Sequence, residues 1–485
     1  MNRNRNRFAS KLSWAAVLLS GLLCLNSCGD DNDDGGSGDG SSTDPVVPTE
    51  PGKGDAMSPA EQKAYMETVA REFMDLTPAS DFKDITTLGR YVTDTYFDGY
   101  DWSEAEKWGK DIIDGLKQYV GILPDEVTDI YYGSYYNYYY ISKITSYKAV
   151  VQASNFKGHF TATNGRWVLS KADDLQFIFN DKYGDKCVLK LETSGSVKKV
   201  YLLNTDEWID YDSKTVGNDY YSYDYYDRTQ WTIGVPEKVV LTLTQGGREV
   251  VKTTVNIDLG SISNEEFDLS KNSLNVSTLV EFKNGYTINV SQVSYTANSK
   301  VSVQSTMSKN GKDLVVMALA SDLSGIPSCN VSAFTKSDFD IDDYDTDKTN
   351  GKNAFVKLDI LGKIQIQGTI SDIRKYADYL EQADENDEKE SNFKSYLNQA
   401  NALTDINMFY DGNSVKQASV TLEPFEKKEW DYSYWTTEPV LVFYDGSSYS
   451  TFEAFFNDRD FKTTIEAFKT FANKYADLVG EHIYW

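Results

Sequence analysis

Histidine occurs only at His159 and His482 in the 485 residues. A histidine-rich metal site or a histidine-dependent triad therefore has almost no material to be built from. The patterns HExxH, GxSxG and GxxxxGK[ST] are absent, so no catalytic residue is nominated and no cofactor is expected. Carboxylate catalysis stays open, because a glycoside hydrolase needs only two acids at the right separation. With 74 acidic residues present, the sequence cannot single out such a pair. Cysteine is also scarce, at four, and no CxxC spacing marks a redox or zinc centre. Positive charge is in deficit, and the net charge is −26. A surface that acidic repels phosphate backbones, which argues against nucleic acid and favours neutral or cationic partners.

Long apolar runs are missing except near the start. Arg3, Arg5, Arg7 and Lys11 precede an apolar stretch from Trp14 to Leu25. That stretch falls short of the roughly 20 residues a membrane-spanning helix needs. Residues 1–27 therefore read as a signal peptide. Leu25-Asn26-Ser27-Cys28 resembles the bacterial lipobox, and Gly29-Asp-Asp-Asn-Asp-Asp34-Gly resembles the acidic export signal of surface-exposed lipoproteins of the Bacteroidetes. The resemblance implies lipidation at Cys28 and an outer-membrane address facing the cell surface, with the membrane as a partner through the amino-terminal lipid. Residues 28–57 are rich in Gly, Ser, Thr, Pro and acid and read as a tether. Cys187 and Cys329 remain, and could pair in an oxidising compartment; their positions in sequence do not decide it.

The fold class expected is α+β, an extended and largely antiparallel sheet flanked by amino- and carboxy-terminal helices. Residues 58–142 read as a helical region. Ser58-Pro59-Ala60-Glu61 is a capping box, and Met66, Val69, Ala70, Phe73 and Met74 follow at helical spacing. Over 143–370 the apolar period becomes two. Leu175, Phe177 and Phe179 turn back into Cys187, Leu189 and Leu191; Val239, Leu241 and Leu243 turn at Gly246-Gly247; Asn284-Gly285 and Asn310-Gly311 mark further hairpins. Residues 371–485 mix a helical hairpin, strands and a last amphipathic helix. At the level of element order, this plan resembles the open half-barrel of periplasmic lipoprotein carriers.

Tyrosine is abundant, at 34 residues, and clustered. The run from Tyr131 to Tyr140 is assigned to sheet packing. Two others are read as aromatic loops that bind a ligand: Tyr220, Tyr221, Tyr223, Tyr225, Tyr226 and Trp231, and Trp430, Tyr432, Tyr434 and Trp435. Stiff amphipathic rings set among Ser, Asn and Asp are the chemistry of a binding surface. Asp343, Asp345 and Asp347 have the spacing that opens a calcium loop. Lys348 and Ala354 stand where that pattern needs glycine and glutamate, so the segment reads as a solvated acidic loop. The function expected is a surface ligand-binding lipoprotein without enzymatic activity, taking a glycan or an envelope protein. The alternatives are a lipid carrier, with an acyl pocket lined by Leu175, Phe177, Leu241 and Leu243, and a carboxylate-dependent glycoside hydrolase.

Overall fold

The computed structural model describes residues 56–92, 95, 110–112, 114–325, 328, 351–429, 432–444, 449–451, 466–467 and 469–474. Cys28, Cys329, Trp430, Asp343, Asp345 and Asp347 lie outside the described residues.

The capping box forms. Ser58 accepts from the Glu61 amide, and the Glu61 carboxylate accepts from the Ser58 amide at 2.8 Å. It opens helix α1 (Pro59–Leu76), which buries Met66, Val69 and Phe73. Each such side chain contributes roughly 1.5–3 kcal/mol by leaving water. Helix α2 (Lys83–Val92) follows a short 3-10 turn.

The rest is α+β, dominated by one 18-stranded sheet. Its strands are β1 (Gly121–Tyr135), β2 (Tyr138–Gln152), β3 (Gly158–Thr163), β4 (Arg166–Ser170), β5 (Leu175–Asn180), β6 (Lys186–Val216), β7 (Asp219–Gln245), β8 (Arg248–Asp258) and β9 (Leu274–Phe282). They continue with β10 (Tyr286–Thr296), β11 (Lys300–Lys309), β12 (Lys312–Asp322), β13 (Lys352–Ile360), β14 (Ile364–Asp372), β15 (Thr404–Tyr410), β16 (Ala418–Glu429), β17 (Tyr432–Phe443) and β18 (Tyr449–Thr451). From β5 to β18 every strand pairs antiparallel with the next. Two parallel pairs, β3 with β5 and β2 with β7, depart from the meander.

Helix α1 lies against strand ends at one end of the sheet, where it meets Tyr286, Leu314, Val315, Leu358, Ile364, Met408 and Leu441. Around α2, Leu88 packs with Phe160, Trp167, Leu175, Phe179 and Cys187. Helices α3 (Ile373–Glu385) and α4 (Glu390–Asn401) form the expected helical hairpin, inserted between β14 and β15. Since β14 and β15 are hydrogen-bonded neighbours, the sheet runs without a break across residue 370.

Three expectations change. Among the described residues of 58–142, helix is limited to residues before 121, and β1 and β2 take the rest. The tyrosine run at 131–140 suits a pleated surface and turns back at Tyr136, whose φ is +53°. The segment 220–231 is not a loop but the outer half of β7, and the described part of 430–435 begins β17. Leu175, Phe177 and Leu243 belong to a packed cluster with Leu88, Tyr91, Ile112 and Leu116, in place of the acyl pocket expected there; Leu241, the fourth residue expected to line it, is not in that cluster.

Candidate functional site: a tyrosine-lined arm

Strands β6 and β7 are far longer than their neighbours, at 31 and 27 residues. Their inner halves pair in the main sheet, 186–194 with 238–245, next to β5 and β8. Their outer halves, 197–216 with 219–236, continue away from β5 and β8, and there β7 pairs instead with β2, which pairs with β1. The order β1-β2-β7-β6 makes a four-stranded arm.

Local chemistry builds the junction. The register shifts between Ser194 and Val197, where Gly195 takes φ +83° and a Cβ would stand 2.5 Å from the Glu237 carboxylate. At Gly234 a Cβ would meet Gln152 and Val197 at 2.9 Å, so glycine lets the end of β2 approach. Val200, Ile233 and Val235 pack under Leu259 and Phe267 of the segment between β8 and β9. Lys198 ties that segment down, donating to Asp258 at 2.9 Å and to the Gly260 carbonyl at 2.7 Å.

The two-residue period then divides the sequence-predicted residues between two faces. In register with Tyr139, Ile141, Lys143 and Ala149 stand Tyr221, Tyr223, Tyr225 and Trp231. On this first face Tyr139 and Tyr221 stack at 4.8 Å, and the Lys143 ammonium lies 5.3 and 5.2 Å from the rings of Tyr223 and Tyr225. Lys214 sits 5.3 Å from the Tyr223 ring, and the Trp231 indole donates to Thr205 at 2.8 Å. The rings are half-buried and engaged with one another.

The second face is the open one. Tyr138 and Tyr140 pair with Tyr220 and Ser222 of β7; Ser213 and Tyr211 of β6 pair with Ser222 and Asp224; Trp208 pairs with Tyr226. Tyr138, Tyr140, Tyr211 and Trp208 are 52, 49, 46 and 57 % exposed. The Tyr211 and Tyr220 hydroxyls bond at 2.7 Å. That bond raises the Tyr211 phenol above its ordinary range, while a bond with Ser213 lowers that of Tyr220. One cross-strand row on this face reads Gly133, Tyr140, Ser222 and Ser213, and the next places Ser142 beside Asp224 and Tyr211, so small residues alternate with aromatics. Ser222 is only 4 % exposed, and its hydroxyl has no hydrogen-bond partner among the described residues. Lower on this face the Arg228 guanidinium donates twice to Asp206, both at 2.7 Å. That bond holds the Asp206 carboxyl below its ordinary range.

Sequence reasoning therefore names the tyrosines of β7 but reads them as a loop, and it does not single out Tyr138, Tyr140, Trp208 or Tyr211. The signal for Tyr138 and Tyr140 is alternation within the run assigned to packing.

The second predicted cluster does not join the arm. Trp435 packs with Leu380, Tyr396 and Leu422 around Phe393 of the helical hairpin, and its amide donates to the Asp387 carbonyl at 2.8 Å. Tyr434 carries Lys427 5.8 Å from its ring, and Tyr432 begins β17. Among the described residues no group of three or more His, Cys, Asp or Glu is placed to hold a metal ion, and no helix is long and apolar enough to cross a membrane. Cys187 is a free, buried thiol. No protein-family model, no curated protein and no solved structure matches this chain.

Proposed function

We propose that this is a membrane-anchored, extracytoplasmic binding protein, not an enzyme, and that the open face of its arm binds a neutral or cationic saccharide. The observation that carries the reading is the set of exposed rings Tyr138, Tyr140 and Tyr211 on one face, set among the small residues Gly133, Ser142 and Ser213. A sugar ring offers apolar C–H faces to stack on tyrosine and hydroxyls to meet serine, tyrosine and aspartate. The acidic balance of the chain favours uncharged or amino sugars over uronates and sulfated chains. Anchoring at Cys28 rests on the lipobox-like Leu25-Asn26-Ser27-Cys28 and places the site where envelope and environmental glycans are met.

The test is a glycan array probed with the Cys28→Ser chain and with the same chain carrying Tyr140→Ala and Tyr211→Ala. The reading expects retention of one or more neutral or amino glycans by the first and loss in the second. Equal retention by both would remove the arm from the account.

A further inference from the structure

The outer edge of β6 is a second surface, which shares Tyr211 and Ser213 with the aromatic face but presents their backbone groups rather than their side chains. Beyond Leu191, β6 has β7 as its one strand partner among the described residues. One row of its backbone groups therefore faces away from the sheet. Near the base of the arm that row is already in use, since the Tyr201 amide donates to the Glu265 carbonyl at 2.6 Å. Glu265 belongs to the segment between β8 and β9, and it takes φ +63° to make that approach.

Farther out, the Tyr211 amide donates to Asp210 Oδ1 at 2.8 Å and the Ser213 amide to Asp212 Oδ1 at 2.7 Å. Each amide is held by the carboxylate just before it. The two lie two residues apart, as outward-facing groups of an edge strand must. Trp208, Ile209, Tyr211 and Val216 are all exposed along the same stretch. Long apolar edges invite strand pairing, and charges on them select what can pair. A second copy of this chain would bring its own Asp210 and Asp212 to the edge, and facing like charges destabilise a strand pair. A basic strand meets the opposite sign.

We propose that the β6 edge from Ile209 to Val216 is a strand-addition site for an extended, lysine- or arginine-rich segment of a partner protein. Carbonyls of the incoming strand take the Tyr211 and Ser213 amides. The displaced Asp210 and Asp212 carboxylates then pair with its cations, so the edge's own caps become its specificity. Asp206 lies outside this exchange because Arg228 already holds it.

The probe is a fluorescent peptide alternating Lys and Val, titrated into the full chain alongside its Glu-for-Lys counterpart. Two N-methylated versions, one for each phase of the alternation, complete the set. The lysine peptide is expected to bind at least about tenfold tighter than the glutamate one, and methylation in one phase alone is expected to weaken it about tenfold. Asp210→Asn with Asp212→Asn, and separately Ser213→Pro, are each expected to weaken it by about tenfold. No binding, equal weakening by both methylated peptides, or indifference to Ser213→Pro in a chain with unchanged circular dichroism would overturn the proposal. Edge-to-edge dimers of the chain in sedimentation, abolished by Ser213→Pro, would overturn it as well. Saccharide binding by the open face is read separately, so loss of either reading leaves the other standing.

Discussion

Tyr139 and Tyr221 stack ring on ring at 4.8 Å with their planes 14° apart, across the parallel seam that joins β2 to the outer half of β7. The seam is a long-range pairing between two hairpins, and this stack is one of the side-chain contacts that fix its register. In a double-mutant cycle with Tyr139→Ala and Tyr221→Ala, denaturant unfolding is expected to give a coupling of about 0.5–1.5 kcal/mol. Strict additivity would show that the seam is held by backbone bonds alone.

Trp435 is partly buried and packs against the cluster of the helical hairpin. Trp435→Ala is expected to cost about 2 kcal/mol in stability, through loss of its contacts with the hairpin cluster. Glycan retention should be unchanged. Loss of retention in a chain of normal stability would return this residue to the binding surface.

Asp81 fixes acid sensitivity at the α1 end of the sheet. Burial by itself pushes its carboxyl up, but bonds from Lys309 at 2.6 Å and from the Tyr286 hydroxyl at 2.9 Å together hold it below its ordinary value. A carboxyl depressed in the folded state adds stability above its unfolded value, near pH 4, and that stability is lost as pH falls through the folded value. The denaturant midpoint of the native chain should therefore fall on acidification below about pH 4 more steeply than that of Asp81→Asn. Parallel curves would contradict the assignment.

Cys187 is fully buried, and burial, aided by the negative charge of Asp181, pushes its thiol up to about 11. It should resist an aromatic disulfide reagent in the native chain and react on unfolding in guanidinium without reductant. With Cys24, Cys28 and Cys329 replaced by serine, reaction in the folded state, or none in the unfolded state, would contradict a buried free thiol at Cys187.

Much of the sheet could be read from alternation. Phe177 opposite Leu189, Leu241 opposite Thr253 and the turns at Asn284-Gly285 and Asn310-Gly311 follow from local pattern and turn chemistry. What local pattern does not contain is pairing between distant strands. Nothing near Tyr139 indicates Tyr221, and without that seam the run at 131–140 reads as packing and the run at 220–231 as a loop. The strand character of 203–216 was hidden by its acids, which look like solvated loop until they are seen as guards of an edge. Trp435 misled for the converse reason: an aromatic beside turn residues suggests exposure, and only the insertion of α3 and α4 between β14 and β15 brings Phe393 against it.

On the proposed reading one face of the arm, and not the other, meets the ligand, and the affinity of a retained glycan for two pairs of variants decides it. Tyr140→Ala with Tyr211→Ala strips the open face, and Tyr223→Ala with Tyr225→Ala strips the face engaged by Lys143. The account predicts that the first pair weakens binding by at least about tenfold and that the second changes it by less than about threefold. Equal losses from both pairs, or a greater loss from the second, would contradict it.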